Sequence, residues 1–586
     1  MKNYLKTIAL IALFSFISCS DEETQKTQND NEPSDTVTDE ELNDEGTDTV
    51  ENESGDTAPD VDMTDEDSND EEILETVVFD TPDPAFESDP AAVIITKDEF
   101  ADAFREMAGF HNVTAIHTKV VTIEQICSMT VCNDTDPKND TAKAIKNFIK
   151  SVPGLKYAVL GGDIEIVPSR KVYDKYSNVM AGTFEDDFYT DFYYADLSEW
   201  DSNANGIYAE DTDMPDYSAE IAVGRIPASN VEEIKRHLDK MTVNMTRYNM
   251  MHVKKALLLA NVATNFSGVD INAGYYFETE GRTADIIPLD FIKKKLYAAT
   301  LPAPAADADD LDNVKQKAAM EEGVNIIVHN GHGYPSLLSC EQANNDNDFT
   351  GQMAYDLQNT TYPVFLSCAC QAGQFESPFI YEYVNSKGET VKKEFKTDSA
   401  GEMLVNAPDG GAVAYLGNTI TGLGIAGGSQ FIDEMLRSIF MTPSSVLGDS
   451  YLFAHSALKK SDTFQAPVPL VPAVPLVDED SWRWTKKALV LLGSPLLTVW
   501  RDAFPQVQAD IAVSYKKVLN GHTVSFSIPQ ELASFNIKIQ AGESVFSLDA
   551  VTPGDYSVNI EGSFSYVLFG ASKEGSQFFF KKADIY

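Results

Sequence analysis

Basic residues are scarce in this 586-residue chain. It has 44 Lys and Arg against 92 Asp and Glu, a formal net charge of -48. That balance excludes a nucleic-acid partner, because binding phosphate needs a basic surface. Cysteine is scarce too. There are six, and no CxxC pair has zinc-finger spacing, which argues against structural zinc. The apolar run over residues 7–17 is too short to span a bilayer. Residues 20–90 hold 28 Asp and Glu, one basic residue (Lys26) and almost no aromatics. Such a segment cannot bury enough surface to offset chain entropy, so 19–90 reads as an acidic, disordered tether.

What is present at the start has the form of an export signal. MKNYLK is a basic n-region, 7–17 is the apolar h-region, and Phe16-Ile17-Ser18-Cys19 follows. A small residue before Cys at the end of an h-region resembles a bacterial lipobox. The resemblance implies a signal peptide over 1–18 and lipidation of Cys19. Membrane attachment would then run through Cys19, with the protein in the cell envelope, at the outer membrane. Five cysteines remain, an odd number for an exported protein. Cys127 and Cys132 are close enough in sequence for a small-loop disulfide; two free thiols are the alternative.

Two segments carry the most chemistry: NIIVHNGHGYPS at 325–336 and VFLSCACQAGQFES at 364–377. Each is a β-branched or apolar run ending in a small, Gly-containing turn. The pattern lifts His332 and Cys370 to the carboxyl ends of two buried strands, where open α/β sheets place their reactive crevice. A Cys and a His there are the minimum parts for thiolate catalysis. Cys368 competes for the nucleophile's role, since Cys-Ala-Cys puts both sulfurs on one side of an extended strand. The Gly three residues after Cys370 frees its turn, while Cys368 still lies in the apolar run. His329, the rival of His332, falls within its strand and reads as a core residue. Gly331 and Gly333 bracket His332, as a close backbone approach to substrate requires.

Strands over 92–96, 117–122, 157–163 and 219–224 alternate with helical stretches at 97–107, 141–151 and 230–248. This alternation predicts a parallel sheet covered on both faces. A second α/β unit opens at 254–260, with later strands at 324–329, 363–367, 411–417 and 488–492. A Pro-rich excursion occupies 465–480. Beyond 506, short alternating runs separated by turn residues predict a small β-sandwich.

These pieces resemble the gingipain-type cysteine peptidases, family C25. YAVLGGDIEIVPSR at 157–170, TDFYYA at 190–195 and AVGRIPA at 222–228 are similar to three of the family's blocks. Asn330-Gly331-His332-Gly333 resembles its histidine block and Ala369-Cys370-Gln371-Ala372-Gly373 its cysteine block. LLGSP at 491–495 resembles its closing block, with Ser494 in place of Asp. The resemblance implies an α/β, caspase-like catalytic region of two subdomains with parallel-sheet cores. The first, over 91–250, would be non-catalytic, and 251–504 would hold the dyad; an immunoglobulin-like β-sandwich over 505–586 would follow. It implies cleavage of protein or peptide substrates by Cys370 and His332 through a thioester acyl-enzyme. It also implies an oxyanion hole on the N–H groups of Gly333 and Cys370. Glu278 and Glu280 are the candidates, by chain order, for orienting His332. Two other readings are a catalytically inactive peptide-binding or adhesion module and a transpeptidase-like processing enzyme.

Asp201-Ser202-Asn203-Ala204-Asn205-Gly206 has oxygen side chains at alternate positions and Gly at the sixth, the front half of a calcium loop. Asp201, Asn203 and Asn205 are the expected ligands of a structural Ca2+. Thr212 stands where a bidentate Glu belongs, and Asp196, Asp211 and Asp213 are the nearby carboxylates that would replace it. An Asx-rich surface turn is the alternative.

Overall fold

The computed structural model describes residues 76–585 except 80, 115, 179–181, 247–249, 267–268, 341–346, 377–378, 385–389, 396–397, 459–462, 465–473, 476–478, 505 and 575. The signal segment, Cys19, most of the acidic tether and most of the Pro-rich excursion lie outside the described residues.

Eleven strands form one central sheet. In chain order they are β1 (Ala92–Thr96), β2 (Thr118–Thr122), β3 (Tyr157–Gly161), β4 (Ala222–Ile226), β5 (Lys255–Ala260), β6 (Ile292–Tyr297), β7 (Asp309–Asp310), β8 (Ile326–Asn330), β9 (Val364–Ser367), β10 (Ala414–Asn418) and β11 (Leu489–Gly493). Across the sheet the order is β7-β6-β5-β8-β9-β10-β11-β4-β3-β1-β2. The two expected subdomain sheets are therefore joined into one. Along β8, Ile326 and Val328 enter one core and Ile327 the other. That two-residue alternation, apolar on both faces, is what a sheet covered by helices requires.

The join reverses direction. β11 runs antiparallel to β10 and parallel to β4. The four strands of the first half consequently point with β11 and opposite to the other six strands of the second, β5 to β10, and these two sets have their carboxyl ends on opposite edges. The seam is tight because it is built on glycine: a Cβ on Gly224 would lie 2.4 Å from Gly493 O and 2.9 Å from Pro495. Two of the family-like blocks, AVGRIPA and LLGSP, meet there.

The C-terminal region is a β-sandwich of two four-stranded sheets. Its core holds Val524, Phe526, Ile537, Ile539, Val558, Val567 and Phe569. One correction concerns the tether. Val77–Phe79 is a strand pairing in parallel with Gly554–Glu561, and Phe79 packs edge-on against Phe526 and Phe546. The sandwich thus includes a strand from the segment read as tether. It docks on the helix Ala101–Val113, where Gly109 leaves room for Leu568 and Gly570 for the Val113 carbonyl. Cys127 and Cys132 form a disulfide, which settles the choice left open by their spacing. No helix among the described residues is long and apolar enough to cross a membrane.

Candidate active site

β8 and β9 are adjacent parallel strands, and their register sets His329 opposite Ser367. His332 and Cys370 each lie three residues further on, so both leave the sheet at the same height. Neighbouring strands are about 4.8 Å apart, which brings the two turns together. Gly333 closes the gap: a Cβ there would lie 2.9 Å from the Ala369 Cβ and 3.1 Å from Cys370 O. This close approach requires glycine. It also places the main chain of both residues expected to form an oxyanion hole, Gly333 and Cys370, side by side.

The cysteine turn is held from behind by the turn after β10. Gln371 N–H donates to Ile420 O (3.0 Å), Gly373 N–H to Asn418 O (3.0 Å), and Asn418 Nδ2 to Ala369 O (2.9 Å). Gln371, directly after the candidate nucleophile, has φ of 55° although it is not glycine. Such backbone costs of order 1 kcal/mol and persists only where its surroundings enforce it. Cys370 Sγ lies 3.6 Å from Gly422 O.

The rival residues have other tasks. Cys368 is a free, buried thiol, 3.3 Å from Asn330 Oδ1 and 3.8 Å from Ser429 Oγ. Burial pushes its pKa up to about 11, away from thiolate chemistry. His329 is buried against Phe365, with Nδ1 2.9 Å from Ser367 Oγ. Burial takes its pKa down to about 3, so it stays neutral. His332 is half-buried; burial lowers its pKa, and the carbonyls of Val262 and Ala263, which accept from its ring, oppose the shift. A neutral imidazole at neutral pH is the form that accepts a proton. Glu278 does not orient this ring: its oxygens accept from Tyr297 Oη (2.6 Å) and Lys295 Nζ (3.1 Å). The main chain of 262–263 takes that part, a partner that carries no side-chain signal in the sequence.

At the other edge of the sheet, three family-like blocks converge on Arg225. Its guanidinium donates twice to Asp191 (2.7 and 2.8 Å) and to the carbonyls of Gly162 and Val167 (2.8 Å each). It also lies 4.8 Å from the Phe375 ring, five residues past Cys370.

A strand-end cysteine and a strand-end histidine thus stand on adjacent turns of this sheet. A sequence model described as Peptidase family C25 matches residues 86–500, and the chain belongs to that family as a cysteine-type peptidase. An uncharacterized protein of Archaeoglobus fulgidus is 24% identical over 404 residues, covering 64% of this chain and 89% of that one. The crystal structure of the Arg-specific cysteine proteinase gingipain R (RGPB) superposes with a TM-score of 0.50 at 15% identity. The match covers 85% of this chain and 98% of that one. The complex of Porphyromonas gingivalis RgpB pro- and mature domains gives a TM-score of 0.49 at 15% identity, over 84% and 100% of the two chains.

Proposed function

We propose that this chain is an exported, lipid-anchored endopeptidase in which reduced Cys370 attacks the scissile carbonyl and His332 moves the proton. The observation that supports the reading is the β8–β9 register, which pairs His329 with Ser367, each three residues before His332 and Cys370. Sulfur bonds to the carbonyl carbon, and the tetrahedral oxyanion takes hydrogen bonds from the Gly333 and Cys370 N–H groups. His332 gives the proton to the leaving amine, and water then hydrolyses the thioester. Donors of this kind contribute about 3 kcal/mol to the transition state. The Cys127–Cys132 disulfide supports an oxidising compartment, consistent with export and with lipidation at Cys19. The sandwich fits the immunoglobulin-like module expected from the sequence.

The test is labelling of the reduced full chain with acyloxymethyl ketones bearing Arg, Lys, Asn or Asp, with sites mapped by mass spectrometry. Label on Cys370 that His332→Ala diminishes is the expected result. Label on Cys368, or none with any probe on folded protein, overturns the reading.

The donor chemistry of 201–213 suits a hard cation. Asp201 accepts from the N–H of Asn205 (2.9 Å), while the Asn203 and Asn205 amides converge on Glu210 Oε1 (2.5 and 2.7 Å). The amide oxygens of Asn203 and Asn205 accept from the N–H groups of Asn205 (2.9 Å) and Ile207 (2.7 Å). Among the described residues no group of three or more His, Cys, Asp or Glu is placed to hold a metal. A cation here would rest on amide and main-chain oxygens as well as on Asp201 and Glu210. Our reading is a structural Ca2+ held by Asp201, Asn203 and Asn205. Calcium should raise the Tm of the wild type and not that of Asp201→Ala; equal shifts would remove the site.

A further inference from the structure

The dyad turns need a brace, because each is a loop and the two come from separate strands. The short helix Ala400–Asn406 touches both. Its first N–H groups have no partner within the helix, and they donate outward: Ala400 N–H to Pro335 O (2.6 Å) in the histidine loop, and Gly401 N–H to Ala372 O (2.8 Å) in the cysteine loop. A capping box takes the next helix N–H and the N-cap's own: Ser399 Oγ accepts from Glu402 N–H (3.3 Å) and Glu402 Oε2 accepts from Ser399 N–H (2.8 Å). Gly401 permits the approach, since a Cβ there would lie 2.7 Å from Ala372 O and 2.6 Å from the Tyr415 ring.

The other end of this helix rests on the first half of the chain. Lys240 Nζ donates to Val405 O (2.7 Å), His237 Nε2 lies 2.9 Å from Asn406 Oδ1, and Asn406 Nδ2 donates to Pro227 O (2.8 Å). Lys240 and His237 belong to the helix Val231–Thr246, and Pro227 follows β4. Burial lowers the Lys240 pKa to about 7; in its protonated form the amine on the final carbonyls of a helix also matches the sign of its dipole. Because the two halves of the sheet point in opposite directions, this helix spans from the carboxyl-end edge of one to that of the other.

We propose that Ala400–Asn406 is a clamp that holds the histidine and cysteine turns in register, and that the first subdomain sets it through Lys240. Ser399, Gly401, Glu402 and Lys240 are then positioning residues: none touches substrate, and each acts through the two turns. The proposal rests on the Cys370/His332 reading above.

The test compares kcat and KM of the reduced full chain on a peptide substrate, using variants shown by circular dichroism to be folded. Gly401→Ala and Lys240→Met should each lower kcat, the former about 100-fold, as expected for a displacement near 1 Å, with KM changed less than about threefold. Ser399→Ala should lower kcat and Ser399→Thr should restore it, because both hydroxyls cap. If Gly401→Ala does not fold, the Ser399 pair and Lys240→Met decide. Wild-type kcat in folded Lys240→Met, or a Ser399→Thr variant no better than Ser399→Ala, overturns the clamp. Turnover that survives Cys370→Ala instead removes the dyad reading, and the clamp with it. Turnover lost in Cys370→Ala but unchanged in the folded clamp variants removes the clamp alone.

Discussion

The two carboxyl-end edges of the central sheet make an instructive pair. Both are made by β-strands feeding into Gly-containing turns, and sheet topology alone would allow a crevice at either. The first-half edge is filled with the protein's own charge. Fully buried Arg225 has a bidentate carboxylate and two carbonyls as partners, and Asp163 is buried beside it. The second-half edge presents a histidine and a cysteine on turns whose own polar groups are bonded backwards, away from the mouth. A strand end becomes a rigid joint when its donors and acceptors satisfy each other. It becomes a candidate reaction site when they are spent on holding the turn that carries one side chain.

The comparison breaks most sharply at the two cysteines of the second edge. Cys370→Ala should lower kcat/KM by at least about 1,000-fold, as removal of a nucleophile does. Cys368→Ala should retain labelling at position 370 and cost about 1 kcal/mol of stability, read by urea unfolding. Equal loss of labelling in both variants would mean that the two sulfurs do not have separate tasks.

At the first edge the expected effect is on folding. Asp191→Ala leaves the Arg225 charge buried without its carboxylate and should destabilise by about 3–5 kcal/mol. A change below about 1 kcal/mol in denaturant midpoints would show that Arg225 finds equivalent partners. Asp163 gives a smaller, pH-dependent effect. Burial raises its pKa from 3.8 to about 6, with Arg225 acting the other way. A carboxyl raised in the folded state binds more protons there than in the unfolded chain. Its stabilising contribution is complete below about pH 4 and is lost as pH rises to about 6. The Tm of Asp163→Asn relative to wild type should therefore climb between pH 4 and 6 and then level off. A difference independent of pH would contradict the burial argument. Glu402, raised by burial and by Asp163, belongs to the same titration, so the variant should relieve it in part.

Much of this frame was legible beforehand because its signal is local. β1 falls at 92–96 as its β-branched run predicts, and the helix Val231–Thr246 and the strands bearing His329 and Ser367 shift by no more than about two residues. β6 escaped because Lys293-Lys294-Lys295 hides its apolar character; Lys295 reaches Glu278 and Asp307 rather than a core. The hairpin Arg170–Asn178/Gly182–Thr190 escaped as well, since its charged run reads as loop until the two strands are paired. At the candidate site, the Gly after Cys370 and the glycines beside His332 fall in the turns that follow β9 and β8. The partners of those turns are main-chain atoms distant in sequence, 262–263 and 418–422, and a carbonyl oxygen leaves no trace in residue type. Ser399-x-x-Glu402 ahead of an apolar stretch is a readable capping signal; what it caps toward depends on tertiary placement.

The strand Val77–Phe79 has a mechanical meaning. It ties the start of the folded body to Gly554–Glu561, and just after it Asp83 bonds Val545 through the main chain and reaches Lys538 and Ser547 with its side chain. Tension arriving along the polypeptide ahead of residue 76 is therefore loaded onto the sandwich first. A three-residue parallel pair and one carboxylate stand in series before the central sheet, like a fuse in front of a circuit. These contacts are the first that such a pull would meet, ahead of the turns that carry His332 and Cys370.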